Sequence, residues 1–204
     1  MSCQSHLKAK TQIYQPYLPT PVNYVPFQSL THIVFPREVT RYQYASQNLL
    51  GTKVLEIGCS SGYGIQFFPK DIDYTGLDYD PIIIDVAKEQ DWGYKANFVN
   101  ADINNVNMLN YDTIVAFEVI EHLDNGLEVV ERLKQHCKRL LITVPMNEPF
   151  GFWGPHHKLH GLNESHFPGF KFHYINEAGA ISDTPERITQ SNPCNLMICR
   201  WDNE

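Results

Sequence analysis

Glu118, Glu121 and His122, in the run Phe117-Glu118-Val119-Ile120-Glu121-His122-Leu123, bring acid and base groups together in the middle of this chain. If the run is helical they fall at i, i+3 and i+4 and share one face. Two carboxylates and an imidazole so grouped suit two chemistries. They hold a divalent cation, or the imidazole takes a proton from an acceptor hydroxyl near neutral pH. Proton abstraction by His122, with Glu121 beside it, is the expectation. Mg²⁺ or Mn²⁺, which favour oxygen ligands, is the alternative, and no residue is assigned to a metal.

A second constellation lies upstream, in Val54-Leu55-Glu56-Ile57-Gly58-Cys59-Ser60-Ser61-Gly62-Tyr63-Gly64. The apolar run reads as a buried strand that enters a turn with three glycines. Glycine there allows backbone angles closed to other residues and a close approach by a ligand. In an open α/β sheet, ligands bind outside the carboxyl ends of the strands, where this turn belongs. A dinucleotide fingerprint is G-x-G-x-x-G, whereas the order here is G-x-x-x-G-x-G with an acid two residues before it, which disfavours a nicotinamide dehydrogenase. Asp78 closes the next strand, twenty residues beyond Gly58, where an acid accepts hydrogen bonds from a ribose diol.

The glycine string resembles the first motif of class I S-adenosylmethionine-dependent methyltransferases, with Ser60 where a middle glycine is common. That resemblance implies S-adenosylmethionine as cofactor, with Glu56, Gly58, Ser60 and Gly62 at the loop and Asp78 on the ribose. Gly76-Leu77-Asp78-Tyr79-Asp80 is similar to the next element of the family, which puts Tyr79 along the adenine. Asp102 resembles the acid at the adenine amino group, with Ile103 beside the ring. The E-V-I-E-H string, which makes Glu118 a cofactor residue, resembles ubiquinone-pathway O-methyltransferases, small-RNA 3′-end 2′-O-methyltransferases and methyltransferases of sugar and polysaccharide biosynthesis. Arg41-Tyr42-Gln43-Tyr44-Ala45 looks like the helix before the first motif in the sugar-associated enzymes. The small-RNA resemblance also implies that one imidazole from a later cluster joins Glu118, Glu121 and His122 around a metal.

These residues need elements to carry them. Proline-free spacing predicts a helix over Arg37–Leu50, ended by Gly51. Strands follow at Lys53–Ile57, Tyr74–Leu77, Asn97–Ala101, Thr113–Phe117 and Arg139–Val144, with a last one at Asn195–Trp201. A short helix through Ile65, Phe67 and Phe68 is closed by Pro69. Asp80-Pro81 caps a helix over Ile82–Gln90. Asp124 caps another, with Leu127, Val130, Leu133 and Cys137 on its inner stripe. Alternation of this kind predicts an α/β, Rossmann-like fold: a mainly parallel sheet, an antiparallel edge strand and helices on both faces.

Residues 1–36, rich in Pro and Tyr, read as an arm or cap on a domain spanning 37–204. Within that domain, residues 146–170 break the alternation with Pro, Gly, aromatics and His156, His157, His160 and His166. An irregular segment that long is usually functional or disordered; its aromatics favour function, and it reads as an acceptor-side lid to which Trp153 or a neighbouring aromatic and at least one histidine contribute.

The 204 residues are 43% hydrophobic and 19% charged, which suits one globular domain. A net charge of -7 without a basic stripe argues against a nucleic-acid partner. Five scattered cysteines (Cys3, Cys59, Cys137, Cys194 and Cys199) without a C-x-x-C pair read as free thiols. No signal-like or membrane-spanning stretch is seen, and a cytoplasmic protein without a membrane partner is expected. The expected activity is methyl transfer to an oxygen of a small, sugar-like acceptor. The rivals are metal-dependent methylation of an RNA 3′-terminal ribose and a non-catalytic, cofactor-binding partner protein.

Overall fold

The computed structural model describes residues 36–106, 109–152, 154–186 and 195–203. Residues 1–35 of the expected arm, with Cys3 among them, and Trp153 and Cys194 lie outside the described residues.

Helix α1 (Pro36–Gln47) leads into β1 (Lys53–Ile57), and the glycine turn runs into a 3-10 turn at Tyr63–Phe67. Then come β2 (Asp73–Asp78), α2 (Pro81–Glu89), β3 (Ala96–Asn100), β4 (Tyr111–Phe117), α3 (Gly126–Lys134) and β5 (Cys137–Pro145). The chain ends with β6 (Lys171–Ile175), β7 (Ile181–Ser182) and β8 (Leu196–Asp202). One sheet holds them all in the order β3-β2-β1-β4-β5-β8-β6-β7. The β3-β2-β1-β4-β5 part is parallel, while β8 runs antiparallel to β5 and β6, and β7 antiparallel to β6. The strand order reverses beside β1, so a crevice opens between the carboxyl ends of β1 and β4.

Strand residues alternate between two cores, as a period of two requires. Val54, Val115 and Leu141 pack with α1 and α2, and Leu55, Ile114, Ala116, Leu140 and Ile142 pack with α3. Helices therefore cover both faces, as expected for buried parallel strands.

Three readings need correction. Helix α3 begins after Asn125, without a side-chain cap, so Asp124 does not cap it. Cys137 starts β5 rather than lying on the helical stripe, because α3 has ended at Lys134. Two strands after the lid, β6 and β7, were not expected, and they place the antiparallel β8 inboard of the sheet edge. Asp80 does cap α2: its carboxylate accepts from the Ile82 amide at 2.9 Å.

Candidate active site

The glycine turn is built by β1 and β2 together. Gly58 has φ +68°, and a Cβ there would meet Val119 Cγ2 at 2.5 Å. The Gly58 and Cys59 amides both donate to the Leu77 carbonyl, at 2.7 and 3.1 Å. This folds the turn back over the end of β2. The Ser60 amide then donates to Asp78 Oδ2 at 2.9 Å, and the Asp80 amide to Asp78 Oδ1 at 3.0 Å. Asp78 is thereby fixed, while each oxygen keeps acceptor capacity for another donor.

A cavity of about 690 Å³ lies at the carboxyl ends of these strands. Its lining includes Gly58, Asp78, Tyr79, Asp102, Ile103, Glu118 and His122 among the residues singled out from the sequence. The volume falls within the range of small-molecule sites. Asp102 organises its own turn: Oδ1 accepts from the Asn104 amide and Oδ2 from Asn105 Nδ2, at 2.9 and 3.0 Å. The Arg132 side chain of α3 donates to the Ile103 and Asn104 carbonyls, tying this wall to the second core.

Glu56 is elsewhere. It is 1% exposed, and its two oxygens accept from the Tyr42 and Tyr74 hydroxyls, each at 2.5 Å. Burial pushes its pKa up to about 7, against the two tyrosine hydrogen bonds and the Arg41 charge, which pull it down. It braces β1 against α1 and β2 from beneath the turn. Ser60 and Gly62 shape the loop through backbone: Ser60 has φ 51°, and a Cβ on Gly62 would strike the Phe98 ring at 2.7 Å.

Glu118, Glu121 and His122 do not share a helix face. Glu118 still belongs to the strand network through its amide, which donates to Thr143 O at 3.0 Å, and its φ of 56° stops an α-helix from starting. Only a 3-10 turn, Ile120–His122, forms. Glu118 and His122 line the cavity, whereas Glu121 is fully buried and neither of its carboxylate oxygens has a hydrogen-bond partner. Burial, and then the Glu118 charge, push the Glu121 pKa well above the carboxyl range.

His122 Nδ1 lies 3.1 Å from the His156 carbonyl, which can only accept, so Nδ1 carries the proton and Nε2 keeps its lone pair. Desolvation in the cavity wall lowers the His122 pKa, opposed by the His156 carbonyl and assisted by His157.

The segment expected to form the lid meets this turn. The Lys158 and Leu159 amides donate to the Glu121 carbonyl at 2.6 and 3.0 Å, and His156 lines the cavity. His157 stands edge-on to His122, with centroids 4.6 Å apart. His160 packs on Phe150, and His166 closes a capping box with Asn163, so neither is on the cavity wall. One ligand atom each from Glu121, His122 and His157 lie within 4.8 Å of one another, a group able to hold a metal ion.

Two residues escaped the sequence reading. Asn100 lines the cavity and donates to the Asp78 and Tyr79 carbonyls, at 3.1 and 2.9 Å. Glu148, 2% exposed, accepts from His157 Nδ1 at 2.6 Å. Its signal was an acid near the carboxyl end of a strand, as Asp78 closes β2 and Glu118 follows β4.

Residues 55–139 match the family model described as a methyltransferase domain. A ubiquinone biosynthesis O-methyltransferase of Actinobacillus pleuropneumoniae serotype 7 (strain AP76) is 27% identical over 120 residues, covering 54% of this chain. The chain spans 50% of that relative's length. Magnesium protoporphyrin IX methyltransferase from Synechocystis PCC 6803, solved with bound SAH, superposes with a TM-score of 0.57 at 16% identity, over 83% of this chain and 82% of that one. The plantazolicin methyltransferase BpumL, solved with a triazolic desmethylPZN analog and SAH, reaches 0.62 at 16% identity over 98% of each chain. Residues 55–139 thus form a methyltransferase domain, and the chain around them has the Rossmann-like α/β fold of class I methyltransferases.

Proposed function

We infer that this protein transfers a methyl group from S-adenosylmethionine to an oxygen of a small, sugar-like acceptor. The observation that carries this is the shared cavity: Gly58, Asp78, Tyr79, Asp102, Ile103, Glu118 and His122 converge on it from the ends of four strands. The residues suit the cofactor. Asp78 offers fixed acceptor lone pairs to ribose hydroxyls, Ile103 an apolar face to a purine, and Gly58 a backbone without a side chain. When bound, S-adenosylmethionine supplies an electrophilic sulfonium methyl. The acceptor hydroxyl must lose its proton as its oxygen attacks, and His122 Nε2 is the free base on the cavity wall.

A cation-assisted form of the same reaction is favoured by one observation. Glu121 is a fully buried carboxyl group with two unpartnered oxygens, and the cost of ionising it there is one that a bound cation offsets. Glu121, His122 and His157 would hold it, His122 through Nε2, so in this form His122 is a ligand and not the base. Such a cation supplies Lewis acidity that lowers the pKa of an acceptor hydroxyl. This shifts the balance away from the metal-free base expected from the sequence. The net charge of -7 still speaks against an RNA acceptor.

The test is S-adenosylhomocysteine formation, followed by mass spectrometry, with free sugars, sugar nucleotides, catechols and RNA 3′ ends as acceptors. Turnover on sugars or sugar nucleotides is expected. Turnover on RNA alone would replace the acceptor assignment, and none with any acceptor would favour a non-catalytic binding protein. Repeating the active reaction after EDTA, then with Mg²⁺, Mn²⁺ or Co²⁺ restored, separates the two mechanisms. Loss and recovery are expected. Activity untouched by EDTA but abolished in His122→Ala would return the reaction to an unaided histidine base.

A further inference from the structure

Glu148 sits just past β5, buried, with no direct place on the cavity wall. Its Oε2 accepts a hydrogen bond from His157 Nδ1 at 2.6 Å, and its Oε1 lies 3.9 Å from His160 Nδ1. A carboxylate only accepts, so His157 is held as the Nδ1–H tautomer with Nε2 left to a ligand. His122 is held the same way by the His156 carbonyl. Backbone contacts from Lys158 and Leu159 to the Glu121 carbonyl fix the histidine-bearing segment to the turn that carries the other two groups. A histidine that binds a metal commonly donates its other ring nitrogen to a carboxylate or carbonyl, which sets tautomer and orientation. Both imidazoles here have such a partner already in place.

We propose that Glu148 is a positioning residue that holds His157 against Glu121 and His122, making a site of two imidazoles and one carboxylate that prefers first-row transition cations to Mg²⁺. The proposal rests on the cation reading above and adds to it the anchor and the selectivity. Imidazole nitrogen suits transition metals, whereas Mg²⁺ demands oxygen donors.

The experiment titrates Co²⁺, Mn²⁺ and Mg²⁺, each alone, into the full chain after EDTA treatment and dialysis. Calorimetry reads all three, and visible absorption reads Co²⁺. The wild type is expected to bind Co²⁺ more tightly than Mn²⁺, and Mg²⁺ most weakly. Glu148→Ala should weaken Co²⁺ binding about tenfold to hundredfold. Glu148→Gln, which keeps an acceptor oxygen, should recover part of that loss. S-adenosylhomocysteine affinity, measured on the same samples, should stay unchanged in both variants. Equal Co²⁺ affinity in Glu148→Ala and wild type would overturn the positioning role and leave the cation reading standing. Mg²⁺ binding as tight as Co²⁺ would overturn the selectivity. Binding of none of the three would sink the cation reading and this proposal with it. If Glu148→Ala does not fold, long-range ¹H–¹⁵N spectra of the metal-free wild type decide. His157 should carry its proton on Nδ1, and a proton on Nε2 instead would contradict the anchor.

Discussion

At the residue scale, Asp78 has two tasks that mutation can separate. It is expected to bind a ribose diol, and it also holds the Ser60 and Asp80 amides. Asp78→Asn keeps an acceptor oxygen for one amide and removes the charge. Loss of one charge-assisted bond, about 1.5–3 kcal/mol, should weaken S-adenosylhomocysteine binding roughly tenfold to hundredfold. Calorimetry checks this, and unchanged affinity would mean the ribose acid lies elsewhere. Glu56 makes a different prediction. Its pKa is raised from 4.5 to about 7 by burial, so between those values the folded protein keeps a proton that the unfolded chain has lost. Stability from this group is complete below pH 4.5 and declines until the pH passes 7. The loss is on the order of 3 kcal/mol. Thermal melts from pH 5 to 8 should fall more steeply for wild type than for Glu56→Gln, and parallel profiles would contradict the assignment. Asp78 and Glu56 both follow from residue type and spacing, yet only one reaches the cavity. The sequence shows an acid before the glycines and cannot show that Tyr42 and Tyr74 will occupy both its oxygens.

At the element scale, the turn after β1 depends on a backbone shape and on space. Gly58→Ala meets both a positive φ and Val119 Cγ2 at 2.5 Å. It should destabilise the protein by about 1–3 kcal/mol and weaken cofactor binding. Adding Val119→Ala should restore only part, since space returns and the strained backbone stays. Full recovery in the double variant would show that sterics alone matter. Strands β1, β4 and β5 were legible as apolar, β-branched runs, with β1 ended by Gly58 and β5 by Pro145, and β2 was legible from the Asp80-Pro81 helix start that follows it. Helix α2 was legible because Asp80-Pro81 is a strong start. The face assigned to Glu118, Glu121 and His122 was not, because their spacing satisfies a helix template that the left-handed Glu118 interrupts. β6 lies just after the Pro168-Gly169 punctuation of an irregular segment, and β7 is two residues long; neither gave a usable pattern.

At the scale of the whole molecule, the parallel half of the sheet carries the expected cofactor groups, and the chain after β5 brings His156, His157 and Glu148 to the same end. The first half is readable because each strand and helix is marked by its own local apolar pattern, even where the pairing, as of β1 with β4, is distant in sequence. The second depends on pairings such as His157 with Glu148 and Lys158 with the Glu121 carbonyl, which no local pattern announces. The cavity at the ends of β1 to β4 is expected to take the adenosyl cofactor. Calorimetry of the purified chain with S-adenosylhomocysteine and, separately, with NAD tests it most directly. Saturable one-to-one binding of S-adenosylhomocysteine, weakened in Asp78→Asn, is expected, with no heat of binding with NAD. Binding of NAD in preference, or no binding of S-adenosylhomocysteine by a folded protein, would contradict it.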